Sequence, residues 1–400
     1  MKVHLVFPVL PPILDGIGDY TSRLAGSLAE HTSVTILTGQ GPFDPIEGVR
    51  IVQAFSMDAP LALHRLHDQI VQDAPDWLIV QYNPFSYGRW GFNPALPAML
   101  QKLRKTAAGT RIALMVHEPF MPVESVRMAV MTTWQRWQLW RLGHGADLVF
   151  FAIEPWVERF RAWFADKPVF HLPVSSNIPH VPITRNEARR RIGVDEDTFV
   201  LGVFGSAHPS RLLNFIKTAS EAVRAIRERM CLLYIGPAGN RVREILGDIR
   251  VFDAGPLPPE DVSKHFAAMD LYLAPFRKGV STRRGSFMVG LQHEIATVST
   301  YGIQTDAELY DQHGKAFLLS AFNDEAGFRQ NVLELVEDAR RRNQIAANGQ
   351  DYFNTRFSWE CVTDSLLRRM AEVDGKSFGV SSLSGSERVS ADSISQRSIV

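Results

Sequence analysis

The chain has 400 residues, of which 45% are hydrophobic and 22% charged, a composition typical of a globular protein with two sizeable domains. Lysine plus arginine and aspartate plus glutamate both number 43, so no overall attraction to nucleic acid is expected. Two cysteines without metal-site spacing, Cys231 and Cys361, indicate a reducing compartment. Pro8, Pro11 and Pro12 interrupt the apolar N-terminus, which is interpreted as a buried strand rather than a signal peptide. We therefore expect a cytoplasmic protein.

Short apolar segments alternate with amphipathic helical segments, a pattern that predicts an α/β fold with parallel sheets covered on both faces. In the first half the predicted strands are Val3–Val9, Ser33–Leu37, Trp77–Tyr82, Arg111–His117, Asp147–Ala152 and Val169–Leu172. In the second half they are Phe199–Phe204, Cys231–Ile235, Arg250–Phe252, Leu271–Pro275 and Thr297–Ser299.

A strand, a glycine turn and a long amphipathic helix follow one another twice, from Val3 to Glu30 and from Phe199 to Glu228. This doubling predicts two Rossmann-like domains that face each other across a cleft. We place the first domain at residues 1–180 and the second at 181–375, with a disordered serine-rich tail at 376–400.

The first glycine turn contains Gly16 and Gly18 and leads into a helix, where backbone can approach an anion or a hydroxyl-rich group. It lacks the third small residue of a dinucleotide fingerprint, and the next strand ends without an acid for a ribose, so a nicotinamide cofactor is disfavoured. A turn without any ligand is the alternative. No resident cofactor is expected.

His117 ends the predicted strand Arg111–His117, and strand ends line the ligand crevice of an open α/β sheet. A histidine there can hydrogen-bond a substrate hydroxyl or transfer a proton near neutral pH. The alternative is a buried histidine with a structural role.

Two loops of the second half favour a bound anion. Gly205 and Ser206 lie in a strand-to-helix turn whose amides, with Arg211, could hold a phosphate. In the loop 279–286, Ser281, Thr282, Gly285 and Ser286 accompany Arg283 and Arg284, which we place in the first turn of a helix. Cations at that positive helix end are unfavourable, and a bound diphosphate would relieve the repulsion. A solvated basic turn is the alternative.

Two other features carry weaker hypotheses. Asp195-Glu196-Asp197 resembles a metal pair but is interpreted as a solvated turn, so no metal is assigned. Trp134, Trp137 and Trp140 recur with arginines along one helix. They could rest on a membrane surface, but a core-facing stripe is the favoured interpretation.

In this order, these segments resemble the GT-B glycosyltransferases of family 4 (glycosyl transferases group 1) over about residues 1–372. The resemblance implies an acceptor domain followed by a domain for a nucleotide-sugar donor. His117 would touch the donor sugar, and Arg211 and the loop 281–286 would hold the diphosphate. Gly236 belongs to the same pattern, and Gly255, Pro256 and Leu257 would meet the base through their backbone.

The chain departs from that family at the two glutamates that usually flank the donor loop, where it has Ser281 and Val289. The leading hypothesis is a metal-independent, retaining glycosyltransferase with His117, Arg211 and Arg283 as catalytic residues. Its acceptor would be a saccharide or a lipid-linked molecule, with peripheral contact to the inner membrane face. The alternatives are a nucleotide-sugar epimerase and a degenerate binding module.

Overall fold

The computed structural model describes residues 1–375 except 57, 60, 61 and 124. The tail predicted for 376–400 lies outside the described residues. Over the described part, no helix is both long and apolar enough to cross a membrane.

In the part of the chain that the structure describes, thirteen strands form two parallel sheets, as the alternation predicts. The strands of the first sheet are β1 (Lys2–Val6), β2 (Ser33–Gly39), β3 (Val49–Phe55), β4 (Trp77–Tyr82), β5 (Arg111–Val116), β6 (Leu148–Phe151) and β7 (Val169–His171). The strands of the second sheet are β8 (Phe199–Phe204), β9 (Met230–Ile235), β10 (Val251–Gly255), β11 (Leu271–Ala274), β12 (Thr297–Tyr301) and β13 (Leu318–Ala321).

Both sheets are doubly wound. The first has the order β3-β2-β1-β4-β5-β6-β7 and the second the order β10-β9-β8-β11-β12-β13. In each sheet the first strand of that half of the chain, β1 or β8, is an interior strand. The order in which successive strands are added to the sheet reverses beside it. Ligands of such sheets bind outside the carboxyl ends of the strands at this reversal. The predicted α/β fold is therefore confirmed, apart from two edge strands, β3 and β13, that the sequence did not indicate.

Helices cover both sheets. In the first half they are α1 (Gly16–Ala29), α2 (His64–Asp73), α3 (Ala95–Thr106), α4 (Val126–Gly145) and α5 (Glu154–Phe160), with short 3₁₀ segments at Pro84–Ser86, Arg89–Gly91 and Arg161–Phe164. In the second half they are α6 (Arg185–Ile192), α7 (Leu213–Ile226), α8 (Gly239–Leu246), α9 (Pro259–Phe266), α10 (Gly285–Gln292), α11 (Ala307–Tyr310), α12 (Glu325–Glu337), α13 (Ala339–Arg356) and α14 (Trp359–Val373).

The buried cores divide between Val174 and Ile178, near the predicted boundary at residue 180. The last helix, α14, does not stay with the second domain. Its buried residues Val362, Leu366 and Met370 belong to the core of the first domain. The helix therefore ties the two domains together, although the sequence grouped it with the second.

Candidate functional site: an arginine cluster where the two sheets meet

An ion pair joins a loop that follows a strand of the first sheet to a loop that follows a strand of the second. Glu118 follows β5 and accepts a hydrogen bond from the guanidinium of Arg283, which lies in the loop between β11 and α10. The Arg283 guanidinium also lies 5.1 Å from the ring centre of Trp156 and donates a 3.2 Å hydrogen bond to the side chain of Gln304. Sequence reasoning did not identify Trp156 or Gln304, because neither belongs to a glycine loop.

Two further guanidiniums lie against one aromatic ring. Arg211 and Arg284 are centred 5.1 and 4.6 Å from the ring centre of Phe276, which follows β11. Burial, together with the charges of Arg283 and Arg211, lowers the pKa of Arg284 to about 9. The charge of Glu118 acts in the opposite direction. The folded chain thus holds three cations close together beside one carboxylate.

Several donors in this cluster lack a protein acceptor. Nε and Nη1 of Arg211, Nε of Arg283 and Nε of Arg284 are buried and have no hydrogen-bond partner among the described residues. The hydroxyl of Ser281, a fully buried residue, is also unpartnered. A buried donor without an acceptor costs about 1–3 kcal/mol, so a cluster of them indicates an absent anionic ligand.

The two arginines, predicted in the first turn of a helix, lie directly before it. Helix α10 begins at Gly285, with Arg284 as its N-cap residue and Arg283 just before it. The cations therefore stand in front of the N-terminus rather than in the first turn. The electrostatic argument is unchanged, because backbone N–H groups and guanidiniums still point positive charge at one place.

Three glycine loops of the second domain pack on one another. Gly205, Gly236 and Gly255 follow or end β8, β9 and β10, and the N–H of Gly236 donates to the carbonyl of Gly255 at 2.9 Å. A Cβ on Gly236 would lie 2.4 Å from the carbonyl oxygen of Gly205, and its φ of 150° is rare for other residues. One on Gly205 would lie 3.2 Å from Nη2 of Arg211 and 3.9 Å from Cβ of Ser286. The structure thus brings Gly205, Arg211 and Ser286 together.

The other predicted donor contacts of this domain differ in accessibility. Ser206 and Pro256 are exposed, and Leu257 is half-buried against the core. Gly285 is half-buried and faces the domain linker, since a Cβ there would lie 3.4 Å from the carbonyl oxygen of Ser175. Their contacts with a nucleotide remain predictions.

Thr282 has a structural position that the sequence did not indicate. Its hydroxyl donates to the carbonyl of Ala152 at 2.8 Å, and its N–H donates to the carboxylate of Asp306 at 2.7 Å. His171 lies 2.8 Å from the same hydroxyl through Nε2. Because its polar groups are already engaged between the domains, Thr282 is better placed to hold the loop than to contact a ligand.

In the first glycine turn, Asp15 caps α1 by accepting 2.9 Å hydrogen bonds from the N–H groups of Ile17 and Gly18. Gly18 is needed for packing, because a Cβ there would lie 2.7 Å from the carbonyl oxygen of Val9. Gly16 is exposed and has open space around its Cα. Of the two glycines, Gly16 is the one that leaves room for a ligand.

His117 is buried beneath this region. Its Nε2 lies 2.7 Å from the side-chain oxygen of Gln81, and its ring contacts Tyr20 edge-on at 4.8 Å. Burial lowers the pKa of His117 to about 3, so the imidazole is neutral at physiological pH. It can therefore donate or accept a hydrogen bond but cannot exchange a proton near neutral pH. Its contact with a donor sugar stays a prediction.

The two positions where the family usually carries glutamates are closed. Ser281 is fully buried, and Val289 is 1% exposed within the core of the second domain. A carboxylate at position 289 would lose its hydration in this apolar core. The departure at Val289 is therefore part of the packing of α10.

Among the described residues, one group of side chains has donor atoms close enough for a metal ion. Ligand atoms of Glu154, His171 and Glu308 lie within 4.8 Å of one another at the domain contact. Protein partners already engage them. Glu308 pairs with Arg356 at 2.9 Å, and Glu154 accepts a 2.8 Å hydrogen bond from the N–H of Ala307. We assign no ion to this group.

The favoured interpretation of the tryptophan stripe is wrong for two of its three members. Trp137 and Trp140 are each 44% exposed, whereas Trp134 is half-buried, with its N–H donating to the carbonyl of Trp90 at 3.2 Å. The stripe lies on the solvent side of α4 rather than in the core.

The chain is similar in sequence and in structure to known glycosyltransferases. No protein-family model matches the chain. It is 26% identical over 201 residues to a D-inositol 3-phosphate glycosyltransferase of Stackebrandtia nassauensis, covering 45% of this chain and 43% of that protein. It is 23% identical over 247 residues to a GDP-mannose-dependent monoacylated α-(1-6)-phosphatidylinositol monomannoside mannosyltransferase of Corynebacterium glutamicum, covering 59% and 65%. The chain thus matches less than two thirds of the length of either relative.

Solved structures agree over nearly the whole length. Sucrose-phosphate synthase from Thermosynechococcus elongatus superposes with a TM-score of 0.73 at 14% identity, over 94% of this chain and 99% of that one. HepE from Anabaena in complex with UDP-glucose gives 0.67 at 14% identity, over 93% and 100%. WaaG, a glycosyltransferase of lipopolysaccharide biosynthesis, gives 0.64 at 14% identity, over 92% and 99%. The chain therefore shares the two-domain GT-B fold of these glycosyltransferases.

Proposed function

We propose that this protein transfers a sugar from a nucleoside-diphosphate sugar to a saccharide or lipid-linked acceptor. The observation that carries the proposal is the cluster of Arg211, Arg283 and Arg284, with buried N–H groups that have no acceptor among the described residues. Guanidinium groups pair well with phosphate oxygens, and a helix N-terminus adds its own positive end. A diphosphate supplies the acceptors that the cluster lacks.

The same cluster supports a chemical role. When the bond between the sugar and the diphosphate breaks, negative charge grows on the leaving diphosphate and positive charge on the sugar ring. Arg211, Arg283 and Arg284 would stabilise the leaving group through charges that are already in place. Since these cations supply the neutralisation that a divalent metal provides elsewhere, we propose that the transfer is metal-independent.

The domain arrangement supports the proposed division of labour. The second domain contributes the cations, and the first contributes Glu118, His117 and the open turn at Gly16. A sugar bound to the diphosphate would therefore lie between the domains, where an acceptor on the first domain reaches it. We propose a retaining outcome, on the resemblance to family 4.

The experiment is a thermal-shift titration of the full chain with UDP, GDP, ADP, CMP and NAD, without added metal. A ligand that binds only the folded state stabilises it by about 2.7 kcal/mol at a hundredfold excess over its dissociation constant. UDP and GDP have priority, because HepE was solved with UDP-glucose and the corynebacterial relative is named as GDP-mannose-dependent.

We expect one nucleoside diphosphate to raise the melting temperature and NAD to leave it unchanged. Arg283→Ala should abolish the shift, whereas Arg190→Ala, at an exposed arginine of α6, should keep it. A flat response to all five ligands would favour a degenerate binding module instead. Product analysis then distinguishes a glycosyltransferase from an epimerase, because an epimerase alters the nucleotide sugar without any acceptor.

A further inference from the structure

Helix α4 exposes an apolar stripe to solvent, opposite the face on which Met131, Leu139 and Leu142 are buried. Val126 is 84% exposed, Val130 55%, and Trp137 and Trp140 44% each. These residues follow one another at intervals of four, seven and three, which places them on one side of a helix. A surface helix normally turns such a stripe toward the core. Here an apolar stripe also faces outward, and a contiguous exposed apolar patch is typical of an interaction site.

The inward side of α4 shows that this orientation is specified. Gln135 and Gln138 are 0% and 2% exposed. Gln138 donates to the carbonyl of Gly91 at 2.8 Å, and Gln135 accepts from the N–H of Met121 at 3.0 Å. Rotating the helix to bury the tryptophans would break these buried hydrogen bonds. The buried hydrogen bonds of Gln135 and Gln138 therefore fix the helix orientation that exposes the aromatic stripe.

The stripe continues onto the neighbouring loop. Trp90 is 51% exposed and Phe92 47%, and Phe92 contacts Trp134 of α4 with ring centres 5.9 Å apart. Trp90 has a φ of 58°, a conformation that costs a non-glycine residue free energy. We call Trp90, Phe92, Val126, Val130, Trp137 and Trp140 the aromatic patch.

Positive charge surrounds the aromatic patch. Helix α4 carries Arg127, Arg136 and Arg141 and has no aspartate or glutamate in its 20 residues. The guanidiniums of Arg89 and Arg127 lie 4.9 and 5.6 Å from the ring centre of Trp90. This local excess contrasts with a net charge of zero for the whole chain.

We infer that the aromatic patch docks this protein on a membrane surface that carries anionic lipid. Tryptophan rings settle at the level of lipid headgroups, and basic residues beside them are attracted by anionic lipid. An apolar stripe flanked by cations on one helix face is the pattern of an interfacial helix. The absence of acids from α4 fits a uniformly negative surface better than a protein partner of mixed charge.

The docked orientation has a consequence that depends on the proposed function. Glu118 lies at the domain contact, and Ser125, the N-cap residue of α4, follows it closely in the sequence. The docking helix and the site thus share one short connection in the first domain. A lipid-linked acceptor could then reach the site from the membrane. The docking itself does not depend on sugar transfer.

The test is flotation of the full chain with vesicles of phosphatidylcholine containing about a third phosphatidylglycerol, alongside pure phosphatidylcholine vesicles. We expect the wild-type chain to float with the anionic vesicles, less with neutral ones, and less as salt is raised. The double variant Trp137→Ser/Trp140→Ser should bind on the order of tenfold more weakly. Arg127→Glu should weaken binding to anionic vesicles alone.

Matched controls are Tyr310→Ser/Phe322→Ser, at exposed aromatic residues of the second domain, and Arg190→Glu on α6. Both should float like the wild type. No flotation of the wild type at low salt, or equal flotation of the tryptophan variant, would overturn the inference. So would a wild-type dimer that Trp137→Ser/Trp140→Ser dissociates, because the aromatic patch would then cover a second copy.

The nucleotide thermal shift keeps this test separate from the proposed function. The tryptophan variant should retain the shift, since its changes lie outside the arginine cluster. If the tryptophan variant keeps the nucleotide-induced shift in melting temperature but no longer floats with vesicles, the result supports membrane docking. A chain that floats but binds no nucleotide would contradict the proposed function and leave the docking intact.

Discussion

Arg283 of the second domain and Glu118 of the first are joined in an ion pair across the domain contact. The side chains are 17% and 25% exposed, so the pair is neither fully buried nor freely solvated. A diphosphate bound beside Arg283 would compete with Glu118 for the same guanidinium. The pair therefore couples ligand binding to the contact between the domains.

We predict that Glu118→Gln binds a nucleoside diphosphate several-fold more tightly than the wild type. Glutamine keeps the size of the side chain but removes its negative charge. In the wild type, that charge repels the phosphates of the ligand and neutralises Arg283. Partial solvent exposure limits the gain. Isothermal titration calorimetry measures it, with Glu334→Gln, whose partner is Arg341, as the control. Weaker binding in Glu118→Gln would mean that Glu118 positions Arg283 rather than competing for it.

Arg211→Ala and Arg283→Ala should each lower sugar transfer on the order of 100-fold, because each removes a fixed charge from the leaving diphosphate. Arg211 also donates a 2.6 Å hydrogen bond to the carbonyl of Phe204, so its variant needs a thermal-unfolding measurement beside the assay. Arg283 has no such backbone bond among those described. Unchanged turnover in both variants would remove these residues from the mechanism.

Ser281→Ala separates a ligand contact from a packing role. The hydroxyl is buried without a partner, so its removal should leave the free energy of unfolding within about 0.5 kcal/mol of the wild type or raise it. If the hydroxyl serves the diphosphate, nucleotide affinity should still fall several-fold. Ser220→Ala is the matched control, because Ser220 in α7 is equally buried and its hydroxyl is also unpartnered. Equal nucleotide affinity in all three proteins would argue against this contact.

Much of the fold could be predicted from the sequence, because central parallel strands are nearly continuous apolar runs. The two missed strands lie at sheet edges. β3 (Val49–Phe55) is buried only at its last two residues, and β13 (Leu318–Ala321) has four residues. β3 therefore carries a weak apolar signal, and β13 is too short to give a distinct one.

The loops that form the site could be predicted from the sequence, but the residues that the fold brings beside them could not. Glycine and arginine loops after strands could be found by their spacing, as with Gly205, Arg211 and Arg283. Their neighbours could not. Phe276 and Glu118 are brought to the arginines by the fold, and neither has a local pattern that distinguishes it from other residues after a strand.

The outward stripe of α4 shows a further limit. Periodicity predicts that Trp137 and Trp140 share a helix face, but it does not say whether that face is inside. The decision comes from Gln135 and Gln138, whose side chains bond to distant backbone. Only the three-dimensional structure supplies those partners.

Asp306 is fully buried at the domain contact and should make stability depend on pH. Its carboxylate accepts 2.7 Å hydrogen bonds from the N–H groups of Glu154 and Thr282. Burial nevertheless raises the pKa of Asp306 from 3.8 to about 7, and the charge of Glu154 adds to the rise. Nearby His171 shifts the opposite way, since burial lowers its pKa from 6.5 to about 4.

Between pH 4 and pH 7 the folded state keeps a proton on Asp306 that the unfolded chain has lost. The contribution of Asp306 to the free energy of unfolding should therefore fall as the pH rises through this range, by up to about 1.4 kcal/mol per pH unit. His171 masks part of this between pH 4 and 6.5, because there the unfolded chain binds the extra proton on its imidazole. The wild-type curve alone is thus not diagnostic.

Urea unfolding of the wild type and of Asp306→Asn, measured at half-unit steps from pH 4 to pH 8, isolates the effect. Asparagine offers one acceptor for two N–H donors, so the variant should be less stable at pH 4. Its deficit should shrink steadily toward pH 7 and then level off. His171→Asn should change the slope in the opposite direction below pH 6.5. Parallel curves for the wild type and Asp306→Asn would mean that Asp306 is ionised throughout and that its two hydrogen bonds outweigh its burial.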